Sequence, residues 1–168
     1  AATPYSTHSL QPQSPMAELH PVASILKSHD VADRPKVGVG VMVMRGEEVL
    51  VGKRNSSHGG GEWAYLGGHL EHLETFEECL IREVREEAGI EIINLPFLSF
   101  SNIHTYAPKH YVDIGYVADW ASGEPQNLEP DRREGWEWHH IDAQPEPLFS
   151  VCRNYIEAYK TGRTYFDA

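Results

Sequence analysis

The segment Gly68-His-Leu-Glu-His-Leu-Glu74-Thr-Phe-Glu-Glu-Cys-Leu-Ile-Arg82-Glu83-Val84-Arg-Glu86-Glu87-Ala-Gly89-Ile90 carries both a complete helix and a concentrated charge. Thr75 stands three places before Glu78, the spacing of a capping box in which each side chain satisfies a free backbone N–H. Gly89 supplies the left-handed residue past the other end. The spacing therefore predicts a helix over 76–88. At about 100° per residue, Leu80, Ile81, Val84 and Ala88 share one arc that faces a core. Glu83, Glu86 and Glu87 share an adjoining arc.

Like charges at three- and four-residue spacing repel and destabilise a helix. Arg82 and Arg85 compensate in part. A hard divalent cation compensates better, because Mg²⁺ and Mn²⁺ prefer carboxylate oxygen, and Mg²⁺ completes its shell with phosphate and water. Seven acids and two arginines within 68–90 contribute −5 of the chain's net charge of −11. Three glutamates alone usually mean a solvated helix face. The whole pattern, G-x5-E-x7-R-E-U-x-E-E-x-G-U with U a bulky aliphatic residue, fixes seven positions. At roughly 6% per position, a chance match is on the order of one in a million.

Outward from this segment the chain reads as one domain with a tail. Its 168 residues can bury a core without disulfides or zinc, and 40% hydrophobic with 23% charged residues fits a globular protein. The longest apolar run, Val37 to Met44, is far short of the roughly 20 residues that a membrane-spanning helix needs. The acidity argues against a general polyanion-binding surface, so no nucleic acid partner is expected. Cys79 and Cys152 are isolated, which fits a reducing compartment, and a cytoplasmic location is expected. No secretory signal is visible at the N-terminus.

Residues 1–34 read as a flexible tail, rich in Pro, Ser, Thr and Gln over its first 15 positions, with a short helix within 17–29. The folded domain is expected over 35–168. Val37, Val39, Val41 and Val43 read as a buried strand, paired as a hairpin with Val49–Arg54. A short aromatic strand covers Glu62–Leu66. Further strands are expected near 91–104, 110–120 and 134–141, and an apolar stripe over 148–160 predicts a closing helix.

The segment 68–90 matches the Nudix box, and the chain resembles the Nudix (MutT-like) hydrolases over about Pro35–Phe149. Gly67-Gly68-His69-Leu70-Glu71, His110-Tyr111-Val112 and the run from Glu129-Pro130 to Trp138 resemble a nucleoside triphosphate diphosphatase subgroup. The resemblance implies an α/β fold, an α/β/α sandwich around a mixed sheet. It implies hydrolysis of a nucleoside triphosphate, standard, oxidised or otherwise non-standard, to monophosphate and pyrophosphate, with Mg²⁺ (or Mn²⁺) as cofactor and a small nucleotide as ligand. Another X-linked diphosphate (a pterin triphosphate, an isoprenoid diphosphate, NADH or ADP-ribose) and a non-catalytic binding module are the alternatives. It also allows a homodimer.

By position in the motif, Glu83 and Glu87 would be the main metal ligands, Glu86 a further one, and the Gly67 carbonyl a fourth. Arg82 would pair with Glu74 and orient the catalytic carboxylates. Asp131, Glu134 and Glu137 are candidate general bases. Arg54 touches phosphate or is a solvated strand-end charge. His69 contacts base or phosphate. Trp136 is expected to stack on a base, with Trp138 pointing the other way. Two departures stand out: Tyr65-Leu66 where the subgroup has Leu-Pro, and His72-Leu73 where it has Phe-Gly. Leu73 replaces a glycine of special backbone conformation, so a reshaped loop is expected.

Overall fold

The computed structural model describes residues 34–167; the expected tail and the short helix within 17–29 lie outside the described residues. In chain order the elements are β1 (Lys36–Arg45), β2 (Glu48–Arg54), β3 (Trp63–Ala64), β4 (Leu66–His69), α1 (Phe76–Ala88), β5 (Glu91–Ile93) and β6 (Phe97–Ile103). They continue with β7 (Tyr111–Ser122), β8 (Arg133–His140), α2 (Ser150–Thr161) and β9 (Tyr165–Asp167).

The strands form one mixed sheet ordered β3-β2-β1-β7-β6-β9, with β4 on β1, β5 on β7 and β8 on β2. β1 runs parallel to β7, and β6 parallel to β9. Side-chain alternation along β1 sends Val39, Val41 and Val43 to one face and Met42 and Met44 to the other. The valine face packs under Leu80, Val84 and Ala88 of α1. The methionine face packs under Val151, Cys152, Tyr155 and Ala158 of α2. One helix on each face of a mixed sheet is the expected α/β/α sandwich.

Four details differ from the sequence-based expectations. The β1–β2 hairpin is two residue pairs long, Met44↔Val49 and Arg45↔Glu48. Beyond it β1 turns to β4 and β7 while β2 turns to β8, so the sheet forks there. The expected strand over 91–104 is two strands, because Asn94 takes φ 53° and Leu95-Pro96 follows, and proline has no N–H to give a ladder. The aromatic strand over Glu62–Leu66 is likewise divided into β3 and β4. Finally, β9 was not foreseen from the sequence; three residues give too short a pattern to read.

α1 has the bounds and both caps that its sequence predicts. Thr75 accepts from the Glu78 N–H, Glu78 accepts from the Thr75 N–H, and Gly89 closes the end at φ 65°. Ile81 is only half-buried, however, and Glu87 is buried in its place. The acidic arc therefore runs into the core face.

Candidate active site

Two glycines join α1 to the sheet. Gly67 sits at φ 151°, and a β-carbon there would overlap the Val39 carbonyl. A β-carbon on Gly68 would overlap the Glu83 carboxylate. The bare backbone of β4 thus lets Glu83 lie directly on the strand. Glu87 reaches the same ribbon, with the Gly67 N–H donating to its Oε2 at 3.1 Å.

Arg82 fastens the preceding loop to this face. Its Nε and Nη2 donate to the two Glu74 oxygens at 2.8 and 3.0 Å, and its Nη1 reaches Glu83 at 2.7 Å and Glu86 at 3.3 Å. Nη2 also donates to the His69 carbonyl at 3.3 Å. The guanidinium holds the Glu74 carboxyl down to about 2. Leu73, just before it, keeps φ 63°. Leucine thus takes at this position the left-handed backbone that favours glycine.

Glu87 has a partner that sequence reading missed. Arg133, at the start of β8, donates from Nη2 and Nε to Glu87 Oε1 at 3.0 and 3.3 Å. Both side chains are almost wholly out of solvent. Arg133 also donates to the Tyr65 carbonyl at 3.2 Å and lies over the Trp136 ring at 4.5 Å. Burial pushes the Glu87 carboxyl up and the adjacent guanidinium opposes that shift. The signal available was a second arginine beginning a strand, which is a weak one.

On the other side of the glycine ribbon lies a cleft of about 230 Å³. Gly67, Gly68, His69 and Arg54 line it, as do Asp113, Tyr155, Tyr106, Tyr111 and Phe149. The Tyr106 and Phe149 rings stack at 4.9 Å and 10°. His69 stacks on Tyr111 at 5.8 Å. Arg54 lies over Phe149 at 4.7 Å and is tied to the His58 carbonyl at 3.1 Å. Gly67, Gly68, His69 and Tyr111 stood in quoted motifs and Arg54 was a candidate; Asp113 of β7, Tyr106 and Phe149 of two loops and Tyr155 of α2 had no local pattern to join them.

Trp136 is placed elsewhere. Its indole N–H donates to the Glu87 carbonyl at 3.1 Å, so it packs beneath α1 and not in the cleft. Trp138 packs against the same core cluster, because residues two apart in a strand share a face; the expected opposition was wrong. None of the candidate general bases lines the cleft. Glu134 pairs with Lys53 and Glu137 with His139, while Asp131 is exposed.

Among the described residues, no three His, Cys, Asp or Glu side chains converge as a preformed metal cage. The donors nevertheless suit a hard cation. Glu83 and Glu87 meet at one glycine ribbon, Glu86 stands a turn away beside Arg82, and an arginine guanidinium stands against each carboxylate. Among the described residues, no helix is long and apolar enough to cross a membrane.

The NUDIX domain family profile matches residues 34–159. The NAD-capped RNA hydrolase NudC of Pseudomonas aeruginosa is 36% identical over 129 residues, covering 74% of this chain and 44% of that protein. The protein of the same name from Pseudomonas entomophila is 32% identical over 154 residues, covering 89% of this chain and 54% of its own. The chain thus spans about half the length of these curated relatives. Among solved structures, a MutT NUDIX hydrolase from Burkholderia pseudomallei superposes with a TM-score of 0.71 at 34% identity, covering 74% of this chain and 98% of that one. A UDP-X diphosphatase shares the fold, with a TM-score of 0.62 at 18% identity over 88% of this chain and 73% of that one. With the box complete, Glu83 and Glu87 set against the glycine ribbon and the profile spanning most of its length, the chain belongs to the Nudix hydrolase family.

Proposed function

We propose that the chain hydrolyses the diphosphate linkage of a nucleotide with the help of a divalent metal. The observation that carries this reading is the meeting of Glu83 and Glu87 on the Gly67-Gly68 ribbon, with an aromatic cleft on its other side. Glu83, Glu86, Glu87 and the Gly67 carbonyl are the groups that would hold Mg²⁺ or Mn²⁺. Such an ion, when bound, neutralises phosphate charge and makes water acidic enough to attack phosphorus.

The chain's own residues do the rest. Arg82 orients Glu83 and ties the loop to the helix, which sets the carboxylate geometry before substrate arrives. A carboxylate of the same helix face takes the proton of the attacking water. Arg54 and His69 line the cleft and meet the phosphates or the base. The aromatic walls seat a ring system, a role the expected Trp136 does not fill.

Two substrates are in view. The motifs outside the box favour a nucleoside triphosphate, cleaved to monophosphate and pyrophosphate. The relatives named for NAD-capped RNA favour a dinucleotide diphosphate such as NADH, alone or on an RNA end. The net charge of −11 speaks against a long polyanion on the surface. A cytoplasmic setting belongs to the same reading, supported by two buried free thiols.

The test is product release with Mg²⁺ from standard and oxidised nucleoside triphosphates, NADH, ADP-ribose and NAD-capped RNA, with Glu83→Gln as control. Metal-dependent turnover of one compound, lost in the control, supports the reading. Silence across the panel with ligand binding intact replaces it with a binding module.

A further inference from the structure

The floor of the cleft holds a carboxyl group that the hydrolysis does not use. Asp113 lies in β7 with Val112 and Ile114 on either side, and it is buried. Its Oδ2 accepts from the Tyr155 hydroxyl at 2.6 Å. Tyr155 is itself almost wholly buried, its ring fitted into space that Gly40 and Gly115 leave free. The carboxyl is therefore held from beneath by one fixed donor. Its Oδ1 has no hydrogen-bond partner among the described residues.

That free oxygen faces open space. Gly38 stands opposite Asp113 across the β1–β7 register, and both line the cleft. A β-carbon on Gly38 would sit 3.5 Å from Oδ1. Its absence keeps the approach clear. An acceptor oxygen on the wall of a cleft, with no protein partner of its own, is open to a donor carried by whatever enters.

The size and walls of the cleft restrict what enters. A cavity of about 150 Å³ holds one benzene ring. The 230 Å³ here admits a bicyclic heterocycle and leaves a sugar and its phosphates outside, towards the glycine ribbon and α1. Tyr106, Phe149 and Tyr111 offer flat faces for stacking.

We propose that Asp113 reads the base: its free Oδ1 accepts a hydrogen bond from the lactam N–H of a 6-oxopurine seated in the cleft. Above about pH 7, where the carboxyl is charged, a ring edge with a bare nitrogen acceptor in that place would face the oxygen lone pairs and be rejected. Sites that pair a polar group of the ligand discriminate strongly against analogues lacking it, since the buried partner is then left unpaired. Burial pushes the Asp113 carboxyl up to about 7, and an incoming N–H donor favours its charged form. The inference rests on the reading of the chain as a nucleotide hydrolase.

The test is titration calorimetry at pH 8, where the carboxylate is charged, with GMP, N1-methyl-GMP and AMP, on the wild type, Asp113→Asn and Tyr155→Phe. The wild type should bind GMP at least 10-fold more tightly than the other two. In Asp113→Asn the amide oxygen accepts from Tyr155 and an N–H₂ faces the cleft, so the GMP advantage over AMP should collapse to within 2-fold or invert. Tyr155→Phe keeps the carboxylate and should keep the preference for GMP. Equal wild-type affinity for GMP and AMP overturns the proposal without any variant. An unchanged preference in folded Asp113→Asn overturns it too, while leaving nucleotide hydrolysis standing. No nucleotide binding at all to the wild type overturns both.

Discussion

Arg133 and Glu87 form an ion pair at 3.0 Å in which both side chains are withdrawn from water. Removing one member strands the other, and breaking a buried pair costs about 3–5 kcal/mol. Glu83 is held differently, by a half-buried Arg82 that is shared with Glu74 and Glu86.

The two glutamates should therefore part company in stability while failing alike in catalysis. Glu83→Gln and Glu87→Gln should each lower turnover by about 100-fold or more, if both serve the metal. Glu87→Gln should also lose about 3 kcal/mol of stability, whereas Glu83→Gln should stay within about 1 kcal/mol of the wild type. Urea unfolding beside steady-state assays reads both. Equal stabilities would show that the Arg133 pair is not an anchor.

Leu73 carries a left-handed backbone and leaves its side chain 88% exposed. A non-glycine residue in that region gives up roughly 1–2 kcal/mol. Nothing is packed against the leucine to offset this. Leu73→Gly should raise stability by about 1 kcal/mol, visible as an increase in Tm. A fall in Tm would mean that the chain gains something from the leucine which the structure does not reveal.

Asp113 makes stability depend on pH in a definite sense. Its folded value near 7 stands above the ordinary 3.8 because burial disfavours the charge. Between those values the unfolded chain releases a proton that the folded chain keeps. Stability contributed by this group is therefore full at low pH, falls as pH rises from about 4 to about 7, and is level above. Asp113→Asn should be more stable than the wild type at pH 8, by up to about 4 kcal/mol, and so melt at a higher temperature, with the gap closing towards pH 4. Thermal melts at four or five pH values suffice. A gap that widens on acidification would reverse the assignment.

Gly40 faces the Tyr155 hydroxyl so closely that a β-carbon would overlap it. Gly40→Ala should displace α2 from the sheet and cost about 2 kcal/mol. Circular dichroism in denaturant measures it. A neutral result would mean that Tyr155 can move aside, and would weaken its role as the fixed support of Asp113.

The legible part of the molecule was what local pattern could carry. Thr75, Glu78 and Gly89 specify α1 to the residue, and the alternating valines specify β1, because caps and periodicity are local physics. The Arg82–Glu74 contact came from the family resemblance, carried over by position in the box, and not from local physics. The partners of those elements were not. Nothing within Val49–Arg54 says that it pairs with Arg133–His140 more than with β1, since ladder choice is made by the whole sheet. The same reason hid the cleft. His58, Tyr106, Asp113, Phe149 and Tyr155 converge only after β1, β7 and α2 are in place. Trp136 was misplaced because an aromatic in a run that resembles a nucleotide-cleaving subgroup suggests stacking, whereas its register under α1 gives it the Glu87 carbonyl instead.

The parallel pairing of β1 with β7 has a consequence in time as well as in space. The register Lys36↔Tyr111 to Met44↔Asp119 joins two strands separated by α1 and five other strands in the chain. Loops that long must close before the central ladder gives anything back. α1 has every local reason to form early, but the surface it packs on does not exist until that closure. The chain should therefore collapse around its helix quickly and wait for its middle strand. Refolding after dilution from denaturant should run in milliseconds to seconds, the range of folds dominated by distant contacts. The strand that carries the floor of the cleft would then set the pace at which the molecule becomes itself.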